Sequence, residues 1–314
     1  MVEVAKLKQE FEALANTTTA DISPVMQSEV FAKLIIEEAA LGRKLAGVIS
    51  ASQEDVTKGD GDTVAVRIFP KIPVVETAEG DKSEATAYKP ARTEVKLKRY
   101  SITVPVTGQS MYAASVDLQA QIVSSISAGW ADRMDAVILD ALGLTGGALG
   151  YTPGFKVVLP DANAWDKIYS YIKQAADGLR KKGWNPDTVI MPFDVYEKIM
   201  EVYEDATKRP AITVDQNGQM TSIYGMKVIV HPMIPDKMGT NDEVAVVVLD
   251  SSVALVEASG MKAKFAEKYE PEYDRYLEVF NAYWGVAVVQ ADFDGDSVAE
   301  AFGVAVIQSP PASP

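Results

Sequence analysis

The sequence predicts an α+β fold organised around one long amphipathic helix, and three observations predict it. Apolar side chains recur at three-and-four spacing over residues 116–142. Stretches of period-two alternation flank that segment on both sides. Between about 150 and 259 the pattern switches repeatedly from helical to strand period, as an α/β layer does.

The helix carries its stripe at Leu118, Ile122, Ile126, Trp130, Met134, Val137, Ile138, Ala141 and Leu142. Ser115 stands where an N-cap hydroxyl accepts from free amides, Asp117 sits in the positively polarised first turn, and Gly143 supplies a left-handed stop. At 1.5 Å per residue the helix runs on the order of 40 Å, and it reads as a spine for a large surface. An ordinary core helix of an α/β enzyme explains the stretch equally well.

A chain of 314 residues with 47% hydrophobic content supports two domains, or one domain with a large insertion. There is no cysteine, which excludes disulfides, thiolate nucleophiles and Cys-containing zinc sites. His231 is the only histidine and lies in an apolar segment, so it reads as a strand-end residue. The net charge of −14 argues against tight binding of DNA through released counterions. No apolar run approaches the roughly 18 residues that span a bilayer, and the charged start MVEVAKLKQEFEALAN is unlike a secretory leader. A soluble chain made inside the cell, with no membrane partner, is the expectation.

Residues 1–50 read as a short charged helix, a polar break at 17–24, and a second helical pattern through Val30, Phe31, Leu34, Ile35, Ala39 and Leu41. The first piece is too short to bury a face alone and is expected to lie along another surface. Val64, Val66 and Ile68 mark a strand over 63–69, entered through the turn at 58–62, where a plain turn is favoured over a calcium loop. A second strand is expected over 93–106.

Between those strands, residues 70–92 are charged and poor in large apolar side chains. The two strands and this tip describe an extended hairpin, which is marginal in water without a supporting surface. A mobile active-site lid and an arm reaching over an adjacent subunit both fit.

Beyond the spine, residues 165–181 form a second amphipathic helix closed by Gly183. A buried strand follows at 188–192, then a helix over 194–203 and a polar, loop-like stretch over 205–224. Strands are expected at 224–230, 244–249 and 252–258, long antiparallel strands over 262–269 and 279–290 around the turn at 270–274, and a final strand over 302–307. The tail 309–314 is proline-rich.

Phosphate loop, dinucleotide fingerprint, serine elbow and zinc-binding helix are all missing. Asp292, Asp294 and Asp296 could converge on a cation, but Gly303 stands at the terminal ligand position of an EF-hand, so a turn is the reading. Glu270/Glu272 and Glu37/Glu38 are paired carboxylates whose spacing establishes no glycosidase geometry. No catalytic residue, cofactor or metal is therefore assigned.

This order of arm, charged hairpin, spine helix, α/β insertion and long antiparallel strands closely resembles the major capsid proteins of tailed viruses, the Hong Kong 97 fold. The resemblance includes the segments 185–192 and 224–232 and spans about residues 17–307. It implies an N-terminal arm over 1–55, an extended-loop hairpin over 56–106 and an axial domain over 150–259. The peripheral domain with the spine helix would take 107–149 and 260–307, and a flexible tail 308–314. It further implies a non-enzymatic protein of the virion, made in the host cytoplasm, whose hexamers and pentamers form an icosahedral shell around double-stranded DNA held without base specificity.

Intersubunit contact is expected from Glu76, Glu79, Lys82, Glu84, Tyr88, Lys89 and Arg92. Some members cross-link a loop lysine to a neighbour's asparagine with help from a glutamate. Lys82, Lys89 and Asn281 lie in matching regions, yet no motif selects them and solvated lysines are the reading here. Some members begin with a cleaved scaffolding segment; this chain starts with the short arm, so scaffolding is expected from a separate protein or not needed, alongside possible portal and decoration proteins. The alternatives are an encapsulin-like nanocompartment shell and a soluble enzyme with an active-site lid at 70–92.

Overall fold

A computed structural model describes residues 24–56, 63–68, 91–107, 117–146, 149–204, 211–238, 243–291 and 299–310. Helix α1 (Pro24–Gly42) leads through a 3-10 turn (Ala46–Val48) into strand β1 (Ile49–Val56), then β2 (Thr63–Ile68), β3 (Ala91–Lys96) and β4 (Lys98–Thr107). The spine helix α2 (Asp117–Ala141) precedes β5 (Phe155–Val158), helix α3 (Ile168–Lys181), β6 (Thr188–Met191) and helix α4 (Phe193–Glu204). There follow β7 (Ile212–Val214), β8 (Met220–Ile223), β9 (Met226–Val230), β10 (Val244–Leu249), β11 (Leu255–Glu270) and β12 (Arg275–Val288). Short strands β13 (Gln290–Ala291) and β14 (Glu300–Ala301) precede β15 (Val304–Gln308).

The expected stripe of α2 is the one that is buried. Ile126, Trp130, Met134, Ile138 and Leu142 are at most 9% exposed. Trp130 is held edge-on between Tyr100 (5.5 Å) and Phe280 (5.8 Å), geometry that suits the ring quadrupoles. Gly143, at φ +77°, ends the helix in a Schellman motif: Leu144 N donates to Leu139 O (2.9 Å) and Gly143 N to Asp140 O (3.0 Å). Gly183 ends α3 the same way, with Trp184 N donating to Leu179 O (3.1 Å). Ser115, the expected N-cap, lies outside the described residues.

Two main sheets result. The first has the order β1-β11-β12-β4 and packs its apolar face on α2, with α1 beside it. The second has the order β5-β15-β10-β6-β9-β8-β7. One of its faces joins the α2 core through Ile190, Ile229, Val247, Leu249 and Val306, and the other packs on α3 and α4 through Val189, Met191, Val246, Val248 and Ile307. Covering both faces is why β10 reads as an unbroken apolar run and not as an alternation.

Several expectations are corrected. The strand expected over 93–106 is interrupted at Leu97, because its halves serve different partners: β3 pairs with β2, and β4 pairs with β12. The stretches 252–258 and 262–269 join into the single strand β11, with a register shift between Gly260 and Lys264. The final strand, expected with the long antiparallel strands, instead lies between β5 and β10 in the seven-stranded sheet. The stretch 205–224 contains β7 and β8, and Tyr224 (φ +51°) and Gly225 (φ +81°) form the two-residue turn into β9. Strand β1, which was not anticipated, pairs in parallel with β11.

Candidate assembly surfaces

Six of the seven residues expected at subunit contacts, Glu76, Glu79, Lys82, Glu84, Tyr88 and Lys89, lie outside the described residues. Arg92 is in β3, where its backbone pairs with Arg67 of β2. The described part of the hairpin is its root, and the root is anchored firmly. Val64 and Val95 are cross-strand partners and enter an apolar cluster with Val256, Ala258, Val289 and Phe302. The root crosses β12 at Gly285, where a Cβ would lie 2.2 Å from the carbonyl oxygen of Lys96. Only glycine admits that approach.

The long β11–β12 ribbon ends in an exposed turn. Tyr273 is 65% exposed, Arg275 stacks over its ring at 4.6 Å, and Arg275 Nη2 is 2.8 Å from Glu270 Oε2. Glu270 is therefore held by an arginine, and the Glu270/Glu272 pair makes no converging carboxylate site. Of the other pair, Glu37 lies 3.8 Å from Lys33 one turn away on α1. Asn281 accepts a hydrogen bond from Arg99 Nη2 at 3.0 Å.

Glu278 is the unusual group of this ribbon. It shares the β12 face of Phe280 and Trp284, is 3% exposed, and its Oε2 has no hydrogen-bond partner. Its direct cross-strand partner is Glu267, a second carboxylate. Burial first, and then the charge of Glu267, push its carboxyl up to about 7, so it holds a proton where an ordinary carboxyl has lost it. Sequence reading missed it; the available signal was a glutamate in phase with Phe280, Ala282 and Trp284.

His231 stands just past the end of β9 and is buried against the spine. Its Nδ1 accepts from Met233 N (3.3 Å), which leaves the Nε2 proton facing Asp135 Oδ2 at 3.4 Å. Asp135 also accepts from Lys44 N (2.8 Å) and Leu45 N (3.3 Å), tying α2, the turn after α1 and the seven-stranded sheet together. Both imidazole nitrogens are occupied by structural partners, so the site holds elements in place and is not arranged as a nucleophile–base pair. Among the described residues no group of three or more His, Asp or Glu side chains could hold a metal ion. Asp292, Asp294 and Asp296 lie outside them. Nor is any described helix long and apolar enough to cross a membrane.

The profile of a family described as phage capsid protein matches residues 90–306, well over half of the chain. Solved structures show the same fold at low identity. The capsid of the cyanophage P-SCSP1u superposes with a TM-score of 0.56 at 11% identity, covering 84% of this chain and 87% of that one. The mature capsid of bacteriophage PhiM1 gives 0.57 at 10% identity, over 85% and 87% of the two chains. The capsid of a native GTA particle gives 0.53 at 12%, over 94% of each. No curated protein matches the sequence.

Proposed function

Because this chain belongs to the phage capsid protein family, we propose that it is a major capsid protein whose copies close into an icosahedral shell around double-stranded DNA. The observation that carries this is the family match itself, which runs from the second strand of the hairpin to the final strand. In this reading the chain is structural and catalyses nothing. The α2 spine with its four-stranded sheet is the peripheral domain, and the seven-stranded sheet with α3 and α4 is the axial domain, now including β15.

Residues 69–90 are the outer part of the extended loop, and Glu76, Glu79, Lys82, Glu84, Tyr88, Lys89 and Arg92 contact a neighbouring copy. The physical support is that the hairpin root is strapped to its own subunit at Gly285, while the segment beyond offers few apolar side chains for burial there. Repeated contacts between unlike patches grow into fibres unless the rotation closes, and a shell closes them. DNA is enclosed without base specificity, in keeping with a chain of net charge −14. Separate scaffolding, portal and decoration proteins would complete a virion made in the host cytoplasm.

Electron microscopy of the purified protein, together with nuclease-protected DNA from infected-cell particles, tests the reading. Icosahedral shells filled with double-stranded DNA are expected. A discrete small oligomer, or a small shell carrying protein cargo, would contradict it.

A further inference from the structure

Two features at opposite ends of the seven-stranded sheet take no part in the contacts above. At the β5 end, the Phe155 ring lies so close to α3 that a Cβ on Gly178 would come within 2.5 Å of it. The ring takes the space that a side chain on Gly178 would need, and beside it lies a groove of about 510 Å³ lined by Phe155, Lys173, Lys181 and Lys182, with Asp177 the only carboxylate in its lining. Asp177 is already 3.1 Å from Arg180, and Lys182 is 2.5 Å from Glu300. Lys173 and Lys181 are exposed, two turns apart on one helix, and without an ion pair among the described residues.

At the other end, α4 lies over β8, with the Tyr196 hydroxyl accepting from Met220 N at 3.0 Å. Val195 and Ile199 point into the core. The opposite stripe of the helix, at four-residue spacing, is Phe193, Glu197 and Glu201. Phe193 is 56% exposed with one side of its ring stacked on Tyr196 at 6.0 Å, and Glu197 has no ion pair among the described residues. Glu201 shares Lys198 (3.0 Å) with Asp166 (2.9 Å).

We propose that the Phe193–Glu197–Glu201 stripe of one copy docks in the Phe155–Lys173–Lys181 groove of the next. The two patches are complementary in kind: an exposed aromatic for an aromatic lining, and carboxylates for lysines that lack partners. Copies with a net charge of −14 repel one another overall, and local opposite charge at a contact offsets that repulsion. Because the patches are different surfaces of one chain, the contact is head-to-tail and repeats from copy to copy, and a rotation that closes it gives the ring a capsomer needs. A phosphate backbone would also be drawn to the lysines, but it offers nothing for the aromatic lining or for Phe193. The inference rests on the shell reading and names the partner of one of its interfaces.

Charge exchange tests it. Lys173→Glu with Lys181→Glu, and separately Glu197→Lys with Glu201→Lys, change exposed side chains, and thermal melting followed by circular dichroism checks that each variant folds. Sedimentation and electron microscopy then compare assembly with the wild type. Each reversal is expected to weaken association by about tenfold or more, and the fourfold variant carrying both sets to recover to within about threefold of wild type. Assembly of either reversal at wild-type strength, or a fourfold variant no better than the reversals, overturns the proposal. So does lysine-dependent binding of a short duplex DNA with assembly unchanged, which would assign the groove to phosphate. If the wild type forms no particles, the shell reading and this contact fall together; if the wild type and the lysine variant both assemble, only this contact falls.

Discussion

The seven-stranded layer and the hairpin–ribbon region solve the problem of burial in opposite ways. In the layer, β10 and β15 are buried throughout, α3 is closed by a Schellman motif, and Asp187 and Asp250 take the backbone amides of Ser251 and Asn185 at 3.0 Å each. Its buried carboxylate Asp250 is paired, and the buried polar atoms it leaves without a partner, Trp165 Nε1 and Gln308 Oε1, belong to uncharged groups. The ribbon buries Glu278 beside Glu267 with an oxygen unpaired, and presents Tyr273 at an exposed tip. An orphaned buried carboxyl costs on the order of 1–3 kcal/mol, a cost that folding of one subunit does not require. On the shell reading proposed above, the ribbon's unmet burial marks it, with the hairpin, as a region shaped to meet other copies, whereas the layer meets them through outer patches on a better-paired interior.

That contrast can be broken most decisively at the hairpin. Deleting residues 76–88 is expected to leave a folded, soluble subunit and to abolish stable shells, as read by circular dichroism and electron microscopy; retained shells would remove the hairpin from the assembly region. Gly285→Ala comes next, because its Cβ meets backbone and not a movable side chain. A loss of about 2–4 kcal/mol in urea unfolding is expected, and an unchanged midpoint would mean that the root is not strapped where it crosses β12.

Glu278→Gln sharpens the comparison through pH. The unfolded carboxyl loses its proton near its ordinary 4.5, whereas the folded one keeps it to about 7. Between those values the native state binds more protons, so stability falls as pH rises and the loss is complete above 7. Glutamine removes that slope. The variant should match wild type near pH 4 and exceed it at pH 8 by up to about 3 kcal/mol in urea melts. Equal slopes for the two proteins would show that Glu278 is solvated. The smallest effect is expected at Gly129 on α2, where an added Cβ meets nothing within 4 Å. Gly129→Ala should stabilise by about 0.5–1 kcal/mol through helix propensity, and destabilisation would reveal an unrecognised close contact there.

Local periodicity made much of this legible. The α2 stripe, the stops at Gly143 and Gly183, the helix over Ile168–Lys181 and the turn between β11 and β12 all follow from spacing and turn chemistry within a few residues. Strand β1 was invisible because ISASQEDV is mostly polar and owes its form to parallel pairing with β11, some two hundred residues away. The same non-local pairing hid the break at Leu97 and sent β15 to the other sheet. At the candidate surfaces, His231 was read correctly as a residue at a strand end. Glu278 passed as one more charge, since only the register with Glu267 reveals a carboxyl buried opposite a carboxylate. The groove at Phe155 was equally hidden: it lies beside a ring that packs on Gly178 from another element.

The central claim is that residues 69–90 rest on a neighbouring copy. A cryo-electron microscopy reconstruction of the assembled particle tests it most directly by tracing that segment from its root at Gly285. The account predicts that it runs onto the adjacent subunit, with Lys82, Tyr88 and Lys89 in contact there. A segment folded back over its own subunit, in a protein that stays monomeric at high concentration, would contradict it.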